Sequence, residues 1–234
     1  MKNTHQPDSN NNRKKNTGVV GIIIVVIVVL IGLGLYSQHK RQVTNQTSPP
    51  ANINSGNPTA NQTMLPQPKA ISNFSLTDDH GKPFTNENLK GHWTIAAFGF
   101  SHCGDVCPIT LTELNKMYQK LHSSLAENQM PQVLFISVDP QRDTTAVLHR
   151  YIKNYNPNFI AATGDSDNLN IFVKEMGVFF SKKPSADPNV YGMEHSSQIF
   201  LFNPQGEWVG LLNFPFQSDK LATAYEALIH GQTA

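Results

Sequence analysis

The chain has 234 residues, 39% of them hydrophobic, with 18 basic against 17 acidic side chains and a net charge of +1. That length supports one globular domain of about 150–170 residues plus extensions. The near-neutral balance excludes the electrostatic footprint of a nucleic-acid binder or of a protein built for a strongly anionic substrate, so any partner has to be argued from a site.

Residues 1–17 are polar, carry Lys2, Arg13, Lys14 and Lys15, and hold no apolar period, which predicts a disordered tail. Residues 18–36 follow without one charge and include an unbroken apolar run at 22–31. At about 1.5 Å per residue this segment matches a bilayer core of about 30 Å. A core helix would carry a polar face. A cleaved signal peptide would have a shorter apolar region and a small-residue cleavage site, whereas this segment closes with Leu33-Gly34-Leu35-Tyr36-Ser37. An uncleaved transmembrane anchor is predicted, and cleavage to a soluble form is the alternative. Four Lys/Arg before the span against Lys40 and Arg41 after it put the N-terminus in the cytoplasm and the rest of the chain on the periplasmic side of the cytoplasmic membrane. Residues 37–70, rich in Asn, Gln, Thr, Ser and Pro, read as a flexible linker, and the folded domain is expected over 71–234.

Within that domain Phe74-Ser75-Leu76-Thr77 alternates with period two and runs into the turn-rich residues 78–83, a short strand or hairpin. Residues 93–100 are mostly apolar, as in a strand buried on both faces. Leu111, Leu114, Tyr118, Leu121 and Leu125 then recur at spacings of three and four, one face of a helix, with Pro108 suited to its first turn. Residues 133–138 form a second buried strand ending at Asp139-Pro140. Asp143 is the expected N-cap of a helix whose apolar face is Val147, Leu148, Tyr151, Ile152 and Tyr155, and Asn156-Pro157 ends it.

A third helix is predicted over 166–176 with Gly177 as its terminator. A loop is expected over 181–192, then a hairpin of strands 197–203 and 207–213 around Asn203-Pro204-Gln205-Gly206, then a last helix over 218–230. This order implies an α/β fold, a mixed sheet with helices on both faces. A crossover helix between strands 93–100 and 133–138 makes them parallel and puts residues 101–107 at a strand carboxyl end, where open α/β sheets favour their sites.

That loop holds the only two cysteines, Cys103 and Cys107. A bridge between them would close a very short loop and constrain the unfolded chain little, so a structural staple is a poor explanation. At a helix N-terminus both thiols are biased toward thiolate, which serves disulfide exchange and soft-metal binding alike. Thioredoxin-like redox pairs have two residues between the cysteines, and here Gly104, Asp105 and Val106 make three. A structural zinc site would need a second cysteine pair. Two thiolates with one imidazole suit Cu(I). Among nine histidines, His102 adjoins Cys103 but its backbone neighbour points away, and His195 precedes a buried strand in a loop that can reach the sheet edge.

The segments Phe98-Gly-Phe-Ser-His-Cys-Gly-Asp-Val-Cys-Pro-Ile-Thr-Leu111, Ile136-Ser-Val-Asp-Pro-Gln-Arg-Asp-Thr144, Ala162-Thr-Gly-Asp165, Glu194-His-Ser196 and Phe200-Leu-Phe-Asn-Pro-Gln-Gly206 resemble the Sco/SenC family, in that family's order over residues 70–230. The resemblance implies a thioredoxin-like fold and a membrane-anchored copper chaperone that delivers copper, as Cu(I) and also as Cu(II), to the CuA site of cytochrome c oxidase subunit II. It implies Cys103, Cys107 and His195 as metal ligands, and Asp105 and Asp139 as acidic groups nearby, although Asp139 reads equally well as a strand-end turn residue. A copper donor protein and a thiol reductase are the further partners it implies.

Two positions depart from the family pattern: Gly104 stands where Pro is usual, and Glu194 where Asp is usual. The alternative function is a thiol-disulfide reductase, with Cys103 and Cys107 as its redox pair, that keeps the CuA-ligand cysteines reduced. A peroxidase of this fold would place Thr or Ser three residues before its reactive cysteine, and Phe100 and Gly104 stand there instead.

Overall fold

The computed structural model describes residues 62–184 and 191–231. The expected tail at 1–17, the anchor at 18–36 and the linker up to residue 61 lie outside them. Among the described residues no helix is long and apolar enough to cross a membrane.

Strands β1 (Gln62–Lys69), β2 (Ser75–Asp78), β3 (Pro83–Thr85), β4 (Thr94–Gly99), β5 (Gln132–Ser137), β6 (Ile160–Thr163), β9 (Ile199–Phe202) and β10 (Trp208–Leu212) form one mixed sheet in the order β1-β10-β9-β4-β5-β6-β2-β3. A separate antiparallel pair is made by β7 (Phe180–Pro184) and β8 (Tyr191–His195). The helices are α1 (Val106–Ser124), α2 (Thr145–Lys153), α3 (Ser166–Met176) and α4 (Ser218–Ile229). Strands β4, β5 and β6 are parallel, and β9 runs antiparallel to β4.

The pleat divides the central strands between two cores. Ile95, Ala97, Val133, Phe135, Ile199 and Leu201 face Leu111, Leu114, Leu121, Leu148, Ile152 and Tyr225 of α1, α2 and α4. Their sequence neighbours Ala96, Phe98, Leu134, Ile136, Phe200 and Phe202 face Leu169, Phe172 and Met176 of α3. Successive side chains point to opposite faces, so a strand covered on both sides has to be apolar at every position. Each fully buried Leu or Phe contributes about 1.5–3 kcal/mol relative to exposure. The thioredoxin-like sandwich with helices on both faces stands as expected.

Three local expectations are corrected and one unforeseen strand is added. The linker does not reach residue 70: β1 is an edge strand paired with β10, its register shifting between Met64 and Lys69, where Pro66 and Pro68 lie. Prolines are tolerated there because one side of an edge strand needs no ladder donor. Strand β6, only four residues long, had no distinct sequence signal, and its pairing with β5 and β2 makes it. The expected loop at 181–192 instead carries parts of β7 and β8, whose half-exposed side chains never form an apolar run. The N-cap of α2 is Thr144, whose hydroxyl accepts from the Val147 N–H, and Asp143 is turned inward instead. Gly177 does end α3 in the left-handed conformation at φ 69°.

Candidate metal centre

The cysteine loop leaves the carboxyl end of β4, central in the sheet, and turns at once into α1. Cys107 is the second residue of that helix and is 2% exposed, while Cys103 sits half-buried in the turn before it. The first turn of a helix leaves backbone N–H groups without intrahelical acceptors. Here the N–H groups of Asp105 and Cys107 favour the thiolate form of Cys103. Both cysteines are free thiols.

The Cys103 thiol is held far below its ordinary value, first by a hydrogen bond from Cys107 and then, against its burial, by His195 and these two backbone donors. The same hydrogen bond, with burial, pushes the Cys107 thiol upward. The two sulfurs titrate as a coupled pair, with Cys103 pushed toward thiolate and Cys107 toward thiol.

His195 arrives from the other end of the domain, as the last residue of β8. Its Nε2 is 3.2 Å from the Cys107 sulfur. Its Nδ1 lies 2.8 Å from the Ser196 carbonyl, an acceptor, so Nδ1 carries a hydrogen and Nε2 is the nitrogen turned to the sulfurs, where it donates to a thiolate when protonated and bonds a metal when not. The Phe100 ring packs at a right angle to the imidazole, with centroids 5.7 Å apart. The donor atoms of Cys103, Cys107 and His195 all lie within 4.8 Å of one another. Three such ligands spaced evenly about one ion, at metal–sulfur and metal–nitrogen distances of about 2.3 and 2.0 Å, would stand roughly 3.7–4.0 Å apart. Two thiolates and a neutral imidazole are the donor set a soft monovalent ion prefers, so the residues present fit copper.

Residues whose supporting role the sequence did not show hold this arrangement. The buried Asp143 carboxylate accepts the Ser101 N–H at 2.8 Å, the Ser101 hydroxyl, and the Ser137 hydroxyl at 2.5 Å, which ties the cysteine loop to the end of β5. Asp139 lies outside the donor cluster and anchors the hairpin instead. It accepts from Tyr191 Oη at 2.7 Å and from Arg142 Nε at 2.5 Å, and Arg142 Nη1 donates to the Tyr191 carbonyl at 2.9 Å. The guanidinium also stacks on the Tyr191 ring, 3.8 Å from its centroid. Asp105 precedes α1 without a side-chain capping bond. His102 is 55% exposed, bonds the Ser101 hydroxyl at 2.9 Å, and is not part of the donor cluster.

Gly99 permits the close packing beneath Cys107. A Cβ added there would stand 2.6 Å from the Cys107 sulfur and 2.7 Å from the Phe135 ring. Gly99→Ala is expected to cost about 1–3 kcal/mol, the usual penalty of overpacking, and to displace the sulfur. Denaturant titration together with the rate of thiol alkylation checks this, and an unchanged midpoint and rate would contradict it. At Gly104 an added Cβ meets nothing within 4 Å, so Ala fits there sterically.

A family profile described as SCO1/SenC matches residues 62–230. The yeast (Saccharomyces cerevisiae) mitochondrial protein SCO2 is 41% identical over 148 residues, which is 62% of this chain and 48% of the yeast protein. The chain thus spans about half the length of that relative. The crystal structure of Arabidopsis thaliana ScoI with copper bound superposes with a TM-score of 0.63 at 31% identity, over 68% of this chain and 98% of that one. Yeast Sco1 with copper bound superposes with a TM-score of 0.63 at 32% identity, over 71% of this chain and 91% of that one.

Proposed function

This chain belongs to the SCO1/SenC family, and from that premise we propose that it is a copper chaperone acting in cytochrome c oxidase assembly. Copper is its cargo, held by the sulfurs of Cys103 and Cys107 and by His195 Nε2. The observation that carries this reading is the meeting of three soft or borderline donors, two from a helix N-terminus and one from a hairpin 88 residues on, within 4.8 Å. Residues 18–36 anchor the chain in the cytoplasmic membrane with the 1–17 tail inside, and the linker presents the domain on the periplasmic side.

Unequal burial sets the order of transfer. Cys107 is the buried ligand while Cys103 and His195 are both partly exposed, and of the two sulfurs Cys103 is the one an incoming thiolate of the CuA site of subunit II displaces first. Each exchange breaks one copper–sulfur bond as another forms, and no electrons are transferred. The test is to load the full chain in detergent with Cu(I) and mix it with copper-free subunit II. Copper should move to the subunit, and retention by the loaded chain would overturn the reading.

The opposite directions in which the Cys103 and Cys107 thiols are pushed favour one second reading, a thiol-disulfide reductase. The reduced pair would close its own S–S bond as the target's breaks, giving up two electrons and the one proton it holds. Reductase turnover should survive His195→Ala, whereas copper transfer should not.

A further inference from the structure

On the opposite flank of β5 and β6 a second group of donors converges, unrelated to the cysteine motif. Sheet order places two strands between β4 and β2, so the two groups lie roughly 14 Å apart along the sheet at about 4.8 Å per strand. Asp79 follows β2 directly. Its backbone N–H donates to the Ala161 carbonyl at 2.7 Å, and its Oδ1 accepts the Ala161 N–H at 3.1 Å. These two bonds fix the carboxylate, whose side chain is 0% exposed, with Oδ2 turned to the two histidines.

Oδ2 meets two imidazoles. His149 Nδ1, from α2, is 2.8 Å away, and His80 Nε2, from the next residue in the turn, is 3.7 Å away. The side chains of His149 and His80 are 43% and 55% exposed, and their rings meet at 67° with centroids 4.9 Å apart. All three donor atoms lie within 4.8 Å of one another. They border an open depression of about 420 Å³ lined by Asp79, His80, Thr145, Ala146, His149 and Arg150. We propose that Asp79, His80 and His149 form a second metal site, which takes a divalent borderline ion such as Zn(II) or Cu(II) and leaves its fourth position to water.

Two nitrogen or oxygen donors about 2.0–2.1 Å from a tetrahedral ion stand roughly 3.3–3.4 Å apart. The observed 2.8 and 3.7 Å bracket that spacing, so small rotations of two exposed rings admit an ion. One carboxylate with two imidazoles is a borderline donor set with no sulfur, the opposite preference to the thiolate centre. Burial works to raise the Asp79 carboxyl, but the Ala161 N–H, His149, Lys153 and His80 outweigh it, and the group stays ionised at neutral pH. Lys153 Nζ lies 3.7 Å from Oδ2 but donates to the Pro157 and Phe159 carbonyls at 2.9 and 2.7 Å. With Arg150 on the rim, this charge opposes a cation and makes the site readily reversible.

The test is Zn(II) titration, by calorimetry, of the untagged full chain in detergent carrying Cys103→Ser and Cys107→Ser, which removes the thiolate centre. The background should still bind Zn(II). His80→Ala and His149→Ala should each weaken that binding at least tenfold. His122→Ala, which removes an equally exposed imidazole beside Glu127, should leave it unchanged. Absence of Zn(II) binding at 100-fold excess, or isotherms equal in all four proteins, would overturn the second site while leaving copper binding by the intact cysteines untouched.

Discussion

Cys107→Ser is expected to reduce Cu(I) binding by the full chain at least about a thousandfold, close to 4 kcal/mol. Cys107 is the 2% exposed sulfur, packed over Gly99 and Phe135, so no water or other side chain can replace it without rearranging the core. Cys103→Ser should also abolish stoichiometric binding, because a hydroxyl is a hard donor that the soft ion rejects. His195→Ala leaves both sulfurs but removes the third donor, and should cost at least about 10–100-fold, the range for groups that only support a ligand.

Protons supply an independent check on the same site. Cys103 is lowered and Cys107 raised, so the coupled pair shares one proton near neutral pH, and binding copper displaces it. Low pH restores the competitor, and affinity should therefore fall about tenfold for each unit by which the pH drops between 8 and 6. Anaerobic titration against a Cu(I) chelator measures both effects. Equal affinity of wild type and the cysteine variants would remove the copper reading altogether.

Asp143→Ala should destabilise the domain by about 3 kcal/mol, because it strips the acceptor from the Ser101 N–H, the Ser101 hydroxyl and the Ser137 hydroxyl, each buried or half-buried. Its second effect reaches the metal centre without touching it. Ser101 stands two residues before Cys103, so a loosened Ser101 should widen the spread of the two sulfurs and weaken copper binding about 10–100-fold. Asn at the same position can accept at Oδ1 and should retain part of both properties. Urea unfolding and chelator competition on the same samples measure the two together. A loss below about 0.5 kcal/mol would mean that Asp143 does not hold the loop.

The misreading of Asp143 shows where local reasoning stops. An Asp just ahead of a helical pattern has the composition of an N-cap, and nothing within a few residues distinguishes it from Thr144, which takes that role. What turns Asp143 inward is Ser101, 42 positions earlier, brought beside it by the parallel pairing of β4 and β5. Asp139 shows the same limit, since its partner Tyr191 is 52 residues away on a strand with no apolar period. Asp79 passed as a turn residue because Ala161 and His149 reach it only through the sheet and α2.

The sequence by itself determined the sandwich, because strands buried on both faces must be apolar throughout and amphipathic helices must show their period. It also placed Cys103 and Cys107 together at a strand end, since four positions along the chain cannot separate them far. The resemblance singled out His195, but only the tertiary structure brings its Nε2 to 3.2 Å from a sulfur. That approach depends on the β7–β8 pair, on the Asp139–Arg142–Tyr191 anchor and on the Ser196 carbonyl that orients the ring. Adjacency along the chain is covalent and can be read directly, whereas a contact closed over 88 residues exists only once the sheet has formed and offset the entropy of bringing its ends together.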